Sequence, residues 1–211
     1  MRWVLVAMFA VLAMGRPATA AADLDPDARY ETLLTAAKSG AAAVNWQALR
    51  FAYADRSSFN VFDDGTLAAR KAMTEAFKGG DFAKVLDLAK QIIDKDYVDA
   101  EGHLVASMAY TRLGETDAAA NERRIALGLL GSIETGDGSS AKTAFTVVSV
   151  SEEYSLMRAR SLRVTRQSLV NRDGHVFDVL DTVDPNGASA SYYFLIDRVM
   201  AAERKQTGLK P

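Results

Sequence analysis

The sequence predicts an α+β protein in which a short tetratricopeptide-like array of helical hairpins is followed by a small, mostly antiparallel β-sheet. Residues 66–130 carry a pattern that repeats after 34 residues, so that Gly80-Asp81 returns as Gly114-Glu115. A repeat of this length is typical of stacked helical hairpins, because one hairpin cannot cover its apolar face alone. From residue 144 onwards the pattern changes to short β-branched runs separated by turns, which predicts strands.

The first 20 residues predict a secretory signal peptide. Arg2 precedes an apolar run over residues 3–14 that is shorter than the roughly 20 residues of a membrane-spanning helix. Small residues follow at Ala18 and Ala20, as signal peptidase requires, and Ala22 offers a second cleavage position. We therefore expect a periplasmic or secreted bacterial protein without a membrane segment after cleavage. We also expect no lipid anchor, because the chain has no cysteine.

Composition argues against one class of partner and limits how the fold is stabilised. The chain has 25 basic and 27 acidic side chains, and loss of Arg2 and Arg16 would leave 23 basic ones and a net charge near −4. Nucleic acid is therefore not an expected partner, since its binding depends on neutralising phosphates. Without disulfides, stability must come from a packed core, and about 190 residues can bury roughly 70% of their unfolded surface.

The predicted helical region covers residues 23–133. A first helix begins near Ala28 and ends at Gly40, and a second begins at the cap residue Asn45. Residues 50–64 combine Arg and Asp with the aromatic side chains of Phe51, Tyr53, Phe59 and Phe62. These four side chains are too apolar to be left in water, which predicts an ordered loop that covers them. This loop either contacts a ligand or closes the first hairpin onto the repeats, and we favour closure.

The repeat helices are predicted at 66–78, 81–95, 99–112 and 115–130. Here the residues resemble the tetratricopeptide repeat over about a third of the chain. Gly80-Asp81-Phe82 and Gly114-Glu115-Thr116 stand where that family turns, and Ala109-Tyr110 and Ala126 match its packing positions. The family's Leu-Gly pair is Ala106-Ser107 here, and Tyr97 replaces its closing Pro. Two repeats need further cover, which the C-terminal region can supply.

The C-terminal region, residues 134–211, is predicted to form an α+β unit packed on the helices. Strands are expected at 144–150, 162–170, 176–183 and 189–196, and a helix is expected to begin at Ser151 with Glu152 and Glu153 near its positive end. Residues 171–174 (Asn-Arg-Asp-Gly) predict a β-hairpin turn.

Short phrases spread over this region also resemble an uncharacterised family of exported bacterial proteins described only as a domain of unknown function, DUF4919. They lie at 136–139, 143–145, 150–154, 167–169, 174–178 and 193–197, and the similarity extends back to residues 49–53. No activity is implied by this resemblance.

Residues 136–143 have the spacing of a phosphate-binding loop that ends at Lys142, although Ala141 replaces its second Gly. Such a loop must follow a strand and precede a helix, so that the helix N-terminus meets the phosphate. Here the predicted order is helix, loop, strand. We therefore interpret these residues as a flexible connector, and the sequence predicts no nucleotide, metal or other cofactor.

Two histidines restrict the acid–base chemistry. His103 is predicted to be a packing or surface residue. An alternative site between helices and sheet could combine Asp137, Glu153, His175 and Asp178, although His175 and Asp178 would point to opposite faces of a strand. A Ser139–His175–Asp178 triad lacks the strained Gly-x-Ser-x-Gly turn of many serine hydrolases.

The concave face of the repeats offers a candidate binding surface, which either stays open or is filled by the rest of the fold. Its predicted contact residues are Arg70, Thr74, Lys78, Met108 and Arg112, flanked by Glu101 and Leu104. A mixed basic and apolar groove suits an extended peptide or an acidic segment of a protein partner. The leading hypothesis is a non-enzymatic binding or interaction module. The alternative is a small hydrolase or small-ligand protein that uses the site between helices and sheet.

Overall fold

A computed structural model describes residues 25–41, 43–62 and 65–208, so the predicted signal peptide lies outside the described residues. Within them, eight helices and a four-stranded sheet confirm the α+β prediction. In chain order the elements are α1 (Pro26–Lys38), α2 (Trp46–Asp55), α3 (Leu67–Lys78), α4 (Phe82–Lys95), α5 (Ala100–Leu113), α6 (Thr116–Ile133), β1 (Phe145–Thr146), α7 (Val150–Ala159), β2 (Arg163–Arg172), β3 (His175–Val183), β4 (Ser189–Leu195) and α8 (Asp197–Thr207). Among these helices, none is long and apolar enough to cross a membrane.

The repeat region forms two successive helical hairpins, as predicted. The first is α3–α4 and the second is α5–α6, and Gly80 and Gly114 adopt positive φ values of 72° and 83° where the helices turn. The side chain of Asp81 caps α4 at the backbone N–H of Lys84. A small apolar core fills the space between α3, α4 and α5 and consists of Met73, Ala76, Val85, Leu86, Ala89, Ile92, Ala106 and Ala109.

A larger core joins the first two helices, α6, α7, α8 and the sheet. Its fully buried members include Leu49, Leu129, Phe145, Leu156 and Phe194. Close approach of α2 to α6 depends on a glycine, because a Cβ at Gly128 would overlap the Trp46 indole. The C-terminal region therefore packs on the helices through a shared apolar core.

The sheet has the strand order β1-β4-β3-β2, with β1 parallel to β4 and the other pairs antiparallel. The predicted hairpin between β2 and β3 is confirmed: Arg172 pairs with His175, and Asp173 and Gly174 between them both have positive φ. Two positive φ values in a two-residue turn match the right-handed twist of the flanking strands.

The prediction of a strand over residues 144–150 is wrong beyond Thr146. Only Phe145–Thr146 is a strand, and Val150 already begins α7. The backbone N–H of Val148 donates to Glu152 Oε2 at 2.8 Å and so leaves the sheet. Val147 still donates its backbone N–H to the Leu195 carbonyl of β4 at 3.4 Å, but Val147 and Val148 are both buried, so their β-branched side chains reflect burial in this connection more than strand pairing.

The helix predicted from Asn45 continues to Asp55, so the loop predicted over residues 50–64 begins later than expected. Leu49, Ala52 and Tyr53 lie on the buried face of α2. A helix at the C-terminal end, α8, was not predicted. Helix α8 is largely polar and buries Val199. Its Gln206 side chain accepts from the Val61 N–H at 3.1 Å and donates to the Phe59 carbonyl at 2.7 Å, so α8 holds the segment that follows α2.

Candidate functional site

A groove of about 740 Å³ lies between residues 59–68 and the beginning of α7. We call this cavity the groove. Its apolar lining is Tyr53, Phe59, Val61, Phe62, Leu67, Ala68 and Val150, and its polar lining is Asn60, Gly65, Thr66, Arg70, Asp96, Ser149 and Ser151. Residues 63 and 64, between two lining segments, are outside the described part of the chain.

Large apolar side chains are exposed around this groove. Leu67 is 77% exposed, Phe62 is 62% exposed and Val150 is 43% exposed. They are three of the eight large hydrophobic side chains that the described residues expose. Phe62 was predicted to be covered together with the other aromatic residues of its segment, and this prediction is wrong. Exposed apolar groups that cluster in this way mark surfaces for binding.

The rest of the aromatic segment is packed. The Phe59 ring meets the Tyr53 ring edge-on at 5.5 Å, and the Arg56 guanidinium lies 4.4 Å from the Tyr30 ring and 4.3 Å from the Tyr53 ring. Burial raises the pKa of Tyr30 to about 12 and raises that of Tyr53 further, with the Asp96 charge adding to the effect at Tyr53. Both phenols therefore remain neutral at ordinary pH. These contacts fix one wall of the groove.

Charged residues beside the groove are paired within the fold. Arg70 Nε donates to Thr66 Oγ1 at 2.8 Å, and its guanidinium forms an ion pair with the buried carboxylate of Asp99. A second carboxylate, Glu101, lies 3.8 Å from Arg70 and is also paired with Arg158. The positive charge of Arg70 is thus largely neutralised where it meets the groove.

The five residues predicted on the concave face have different surroundings. Among them, Arg70 lines the groove, whereas Thr74 donates to the Arg70 carbonyl at 2.9 Å. Lys78 pairs with Glu75 at 2.9 Å on the surface. Arg112 lies over the Phe82 ring at 5.2 Å, and Met108 is exposed.

Only two of the four residues predicted for the alternative site between helices and sheet lie together. Glu153 and Asp178 come together at the contact between α7 and β3, whereas Asp137 and His175 have other partners. Asp137 accepts from the Ser139 N–H at 2.9 Å, and hydrogen bonds from Thr143 and Ser139 lower its pKa to about 2. His175 Nδ1 lies 2.6 Å from Asp197 Oδ2, on the face of β3 opposite to Asp178.

Glu153 and Asp178 form a buried acid pair. Glu153 is fully buried, and burial, together with the charges of Asp178 and Glu152, raises its pKa to about 9. Burial also raises the pKa of Asp178. The hydrogen bond from Gln167 Nε2 to Asp178 Oδ2, at 2.7 Å, acts in the opposite direction and lowers this pKa. At neutral pH Glu153 is therefore a carboxylic acid rather than a carboxylate.

A buried ion pair between Arg50 and Glu152 was missed by sequence reasoning. Arg50 Nε and Nη2 donate to the two oxygens of Glu152 at 2.7 and 2.6 Å. The guanidinium also donates to the carbonyls of Ser132 at 2.9 Å and Thr146 at 2.7 Å. These bonds join α2, α6, β1 and α7 in one network. Both residues lie in phrases that resemble DUF4919, which was the available signal.

The family model described as "Domain of unknown function (DUF4919)" matches residues 46–205. The chain belongs to the DUF4919 family. Comparisons with curated proteins and with solved structures gave no match. The matched residues run from the first residue of α2 into α8, so the DUF4919 domain contains the groove, the Arg50–Glu152 ion pair and the buried acid pair.

The loop before β1 in the DUF4919 domain is packed and is not a flexible connector. The Gly138 N–H donates to the Thr143 carbonyl at 2.8 Å, and the Gly138 carbonyl accepts from the Tyr193 N–H at 2.8 Å. Gly138 has a φ of 72°, and a Cβ there would overlap the Phe145 ring. Lys142 follows in a single 3-10 turn, Ala141–Thr143, that leads into β1.

Both histidines of the DUF4919 domain lie within hydrogen-bonding distance of an acidic side chain, Glu122 for His103 and Asp197 for His175. His103 was predicted to be either a packing or a surface residue, and it is a buried packing residue. Its Nδ1 lies 2.5 Å from Glu122 Oε2, and its Nε2 lies 3.0 Å from the Tyr97 carbonyl oxygen. Within the described ranges, no group of three or more His, Cys, Asp or Glu side chains is arranged to hold a metal ion.

Proposed function

We propose that the DUF4919 domain is a non-enzymatic binding module whose groove takes an extended peptide segment with apolar side chains. The observation that carries this proposal is the clustering of exposed Phe62, Leu67 and Val150 around one concave surface. The volume of about 740 Å³ falls within the range of roughly 300–1,000 Å³ that is usual for binding pockets. Covering such side chains with a ligand gains about 25 cal/mol per Å² of apolar surface removed from water.

The polar lining suits the backbone of such a peptide. Ser149 and Ser151 lie at the edge formed by α7, and their hydroxyl groups are 2.8 Å apart. Hydroxyl groups can both donate and accept, so they can pair with peptide N–H or C=O groups. Because Asp99 and Glu101 neutralise Arg70, an apolar segment fits this surface better than the acidic segment that was the other expectation from the sequence.

Binding can be tested with a displayed peptide library selected against the purified protein. Peptides recovered from the wild type are then synthesised, and their Kd values are measured by isothermal titration calorimetry. The Leu67→Ser variant should weaken binding at least tenfold, because Leu67 is exposed at the groove. Leu127→Ser is the matched control, since Leu127 is also exposed but lies on α6 and does not line the groove.

Three results separate the outcomes of this test. A loss of affinity in Leu67→Ser with wild-type affinity in Leu127→Ser supports binding in the groove. Equal affinity in both variants means that the peptides bind elsewhere and contradicts the proposal. Failure to select any peptide above the background of a groove-blocked Leu67→Arg variant also contradicts it. Circular dichroism spectra of the variants confirm that the fold is kept.

We further propose that the protein acts after export, in the periplasm or outside the cell. The support is the predicted signal at residues 1–20. Sequencing the N-terminus of protein recovered from the periplasm or medium should give Ala21 or Asp23 as the first residue. An intact N-terminus in the cytoplasmic fraction would contradict export.

A small hydrolase is the second candidate function, and the convergence of Glu153 and Asp178 is what favours it. A carboxylic acid beside a carboxylate is the arrangement that acid–base catalysis uses. Neither residue lines the groove, and Asp137 and His175 are bound elsewhere. Turnover of nitrophenyl ester or glycoside substrates that Glu153→Gln abolishes would favour this candidate over a binding module.

A further inference from the structure

Helix α7 connects the groove to the sheet. Its first turn supplies Val150 and Ser151 to the groove and also carries Glu153, which meets Asp178 of β3. Glu153 is fully buried, and within the described residues neither of its oxygens meets a hydrogen-bond donor of another group. A carboxylate in this position would have no compensation for the hydration that it loses.

We propose that Glu153 and Asp178 share one proton, and that the acid form of Glu153 donates it in a hydrogen bond that fastens α7 to β3. We call this pair the proton latch. Two carboxylates have no donor between them, whereas one acid and one carboxylate form a strong charge-assisted hydrogen bond. The latch therefore supplies the donor that the buried contact otherwise lacks.

The surroundings support a proton on Glu153 and a charge on Asp178. Asp178 Oδ2 accepts from Gln167 Nε2 at 2.7 Å, and Gln167 Oε1 accepts from the Tyr154 hydroxyl at 2.8 Å. An amide donor stabilises the charged form of Asp178. Gln167 is exposed, so this chain of hydrogen bonds leads from the buried pair to solvent.

The cations near α7 are paired with other acids. The electrostatic partners of Glu153 are Asp178 of β3 and Glu152 of α7 itself, and both are acidic. Glu152 is bound by Arg50 of α2. The elements around α7 add two ion pairs, Glu101–Arg158 at α5 and Glu134–Arg160 at the end of α6. Strand β2 adds one neutral polar side chain, Gln167, which accepts from Tyr154 of α7. Loss of the proton would therefore leave two adjacent negative charges in a buried contact.

Proton loss has a consequence for the groove, and this step rests on the proposed function. When hydroxide removes the proton, water forms and both side chains become carboxylates that repel each other. Separation of α7 from β3 would move Val150 and Ser151, which line the groove. Because burial raises the pKa of Glu153 to about 9, the latch is closed at neutral pH and opens under alkaline conditions.

Carbon-13 NMR of the purified protein, with glutamate labelled at the carboxyl carbon, tests the latch directly. The Glu153 resonance is assigned by its loss in Glu153→Gln. It should have the shift of a carboxylic acid at pH 7 and should titrate near pH 9, and Asp178→Asn should lower that midpoint by removing the neighbouring charge. Titration of Glu153 in the range of exposed glutamates would overturn the latch. If Glu153→Gln does not fold, Asp178→Asn identifies the resonance by its shifted midpoint.

A second arm follows peptide affinity from pH 7 to pH 10 in the wild type and in Glu153→Gln, whose amide donates to Asp178 at every pH. The wild type should lose affinity at least fivefold across pH 9, and Glu153→Gln should not. Equal pH profiles would overturn the control of the groove by the latch. Absence of peptide binding at every pH would contradict the proposed function but leave the NMR result to decide the latch.

Discussion

Two successive glutamates on α7 are both buried, but one is stabilised as a carboxylate by a cation and the other is a neutral carboxylic acid. Glu152 is bound by the guanidinium of Arg50, which offers two donors in a fixed plane. Glu153 has no such cation within the described residues and is neutral through burial and the nearby charge of Asp178. Adjacent residues of identical chemistry therefore differ in charge when their neighbours differ, because the cost of desolvating a carboxylate must be offset by a cation or avoided by binding a proton.

The largest expected effect is removal of the cation from the first glutamate. Arg50→Met leaves Glu152 buried without its ion-pair partner and removes the hydrogen bonds from the guanidinium to the carbonyls of Ser132 and Thr146. We expect the free energy of unfolding, from urea titration, to fall by about 5 kcal/mol. Arg166→Met, which breaks an exposed pair with Asp181, should cost less than about 1 kcal/mol. Similar losses in the two variants would show that the Arg50–Glu152 pair contributes no more than a surface pair.

The same substitution in the two glutamates sharpens the comparison. Glu152→Gln leaves Arg50 as an unpaired buried cation, so the free energy of unfolding at pH 7 should fall by about 3 kcal/mol. Glu153→Gln replaces one neutral donor by another and does not carry the cost of protonating a carboxyl group at pH 7, so it should not lower the free energy of unfolding. Equal destabilisation by both variants would contradict the difference in charge between Glu152 and Glu153.

The stability of the protein should depend on pH through Glu153. Burial raises the pKa of Glu153 from its ordinary value of 4.5 to about 9 in the folded protein, so the folded state binds the proton more tightly than the unfolded state. Its contribution to stability is therefore complete below about pH 4.5 and is lost as the pH rises through about 9. Relative to Glu153→Gln, the wild type should lose up to about 1.4 kcal/mol of unfolding free energy per pH unit in this window. A difference that does not change with pH would show that Glu153 is ionised in the folded state.

The smallest expected effect on stability comes from Tyr154, at the outer end of the chain of hydrogen bonds from Tyr154 through Gln167 to Asp178. Tyr154→Phe removes the hydroxyl that donates to Gln167 at 2.8 Å, in a partly exposed position. The free energy of unfolding should fall by about 0.5–1 kcal/mol. The midpoint of the Glu153 titration should stay near that of the wild type, since Gln167 still donates to Asp178. A large shift of that midpoint would mean that Tyr154 takes part in holding the proton.

The sequence was sufficient for the elements whose signals are local. Helical repeats follow from apolar spacing and from Gly80 and Gly114 at the turns, and the β2–β3 hairpin follows from Asp173-Gly174. Helix α8 was missed because few of its side chains are buried, so its apolar pattern is weak. The run at 144–150 was assigned to a strand because β-branched residues are also common in buried connections.

The candidate sites could be predicted only in part, because they depend on contacts between distant residues. Arg50 and Glu152 are 102 positions apart, and no spacing rule relates them. The groove gathers Phe62, Leu67 and Val150 from different segments, and their exposure is decided by the tertiary fold. Glu153 and Asp178 were both named from the sequence, but Asp137 and His175 were grouped with them by residue type alone.

The measurement that tests the central comparison most directly is the infrared absorption of protonated carboxyl groups at pH 7. Exposed carboxyl groups are ionised at this pH, so a band from a carboxylic acid reports a buried proton. We expect such a band in the wild type, its loss in Glu153→Gln and its retention in Glu152→Gln. A wild-type spectrum without the band, or a band that survives in Glu153→Gln, would contradict the assignment of the proton to Glu153.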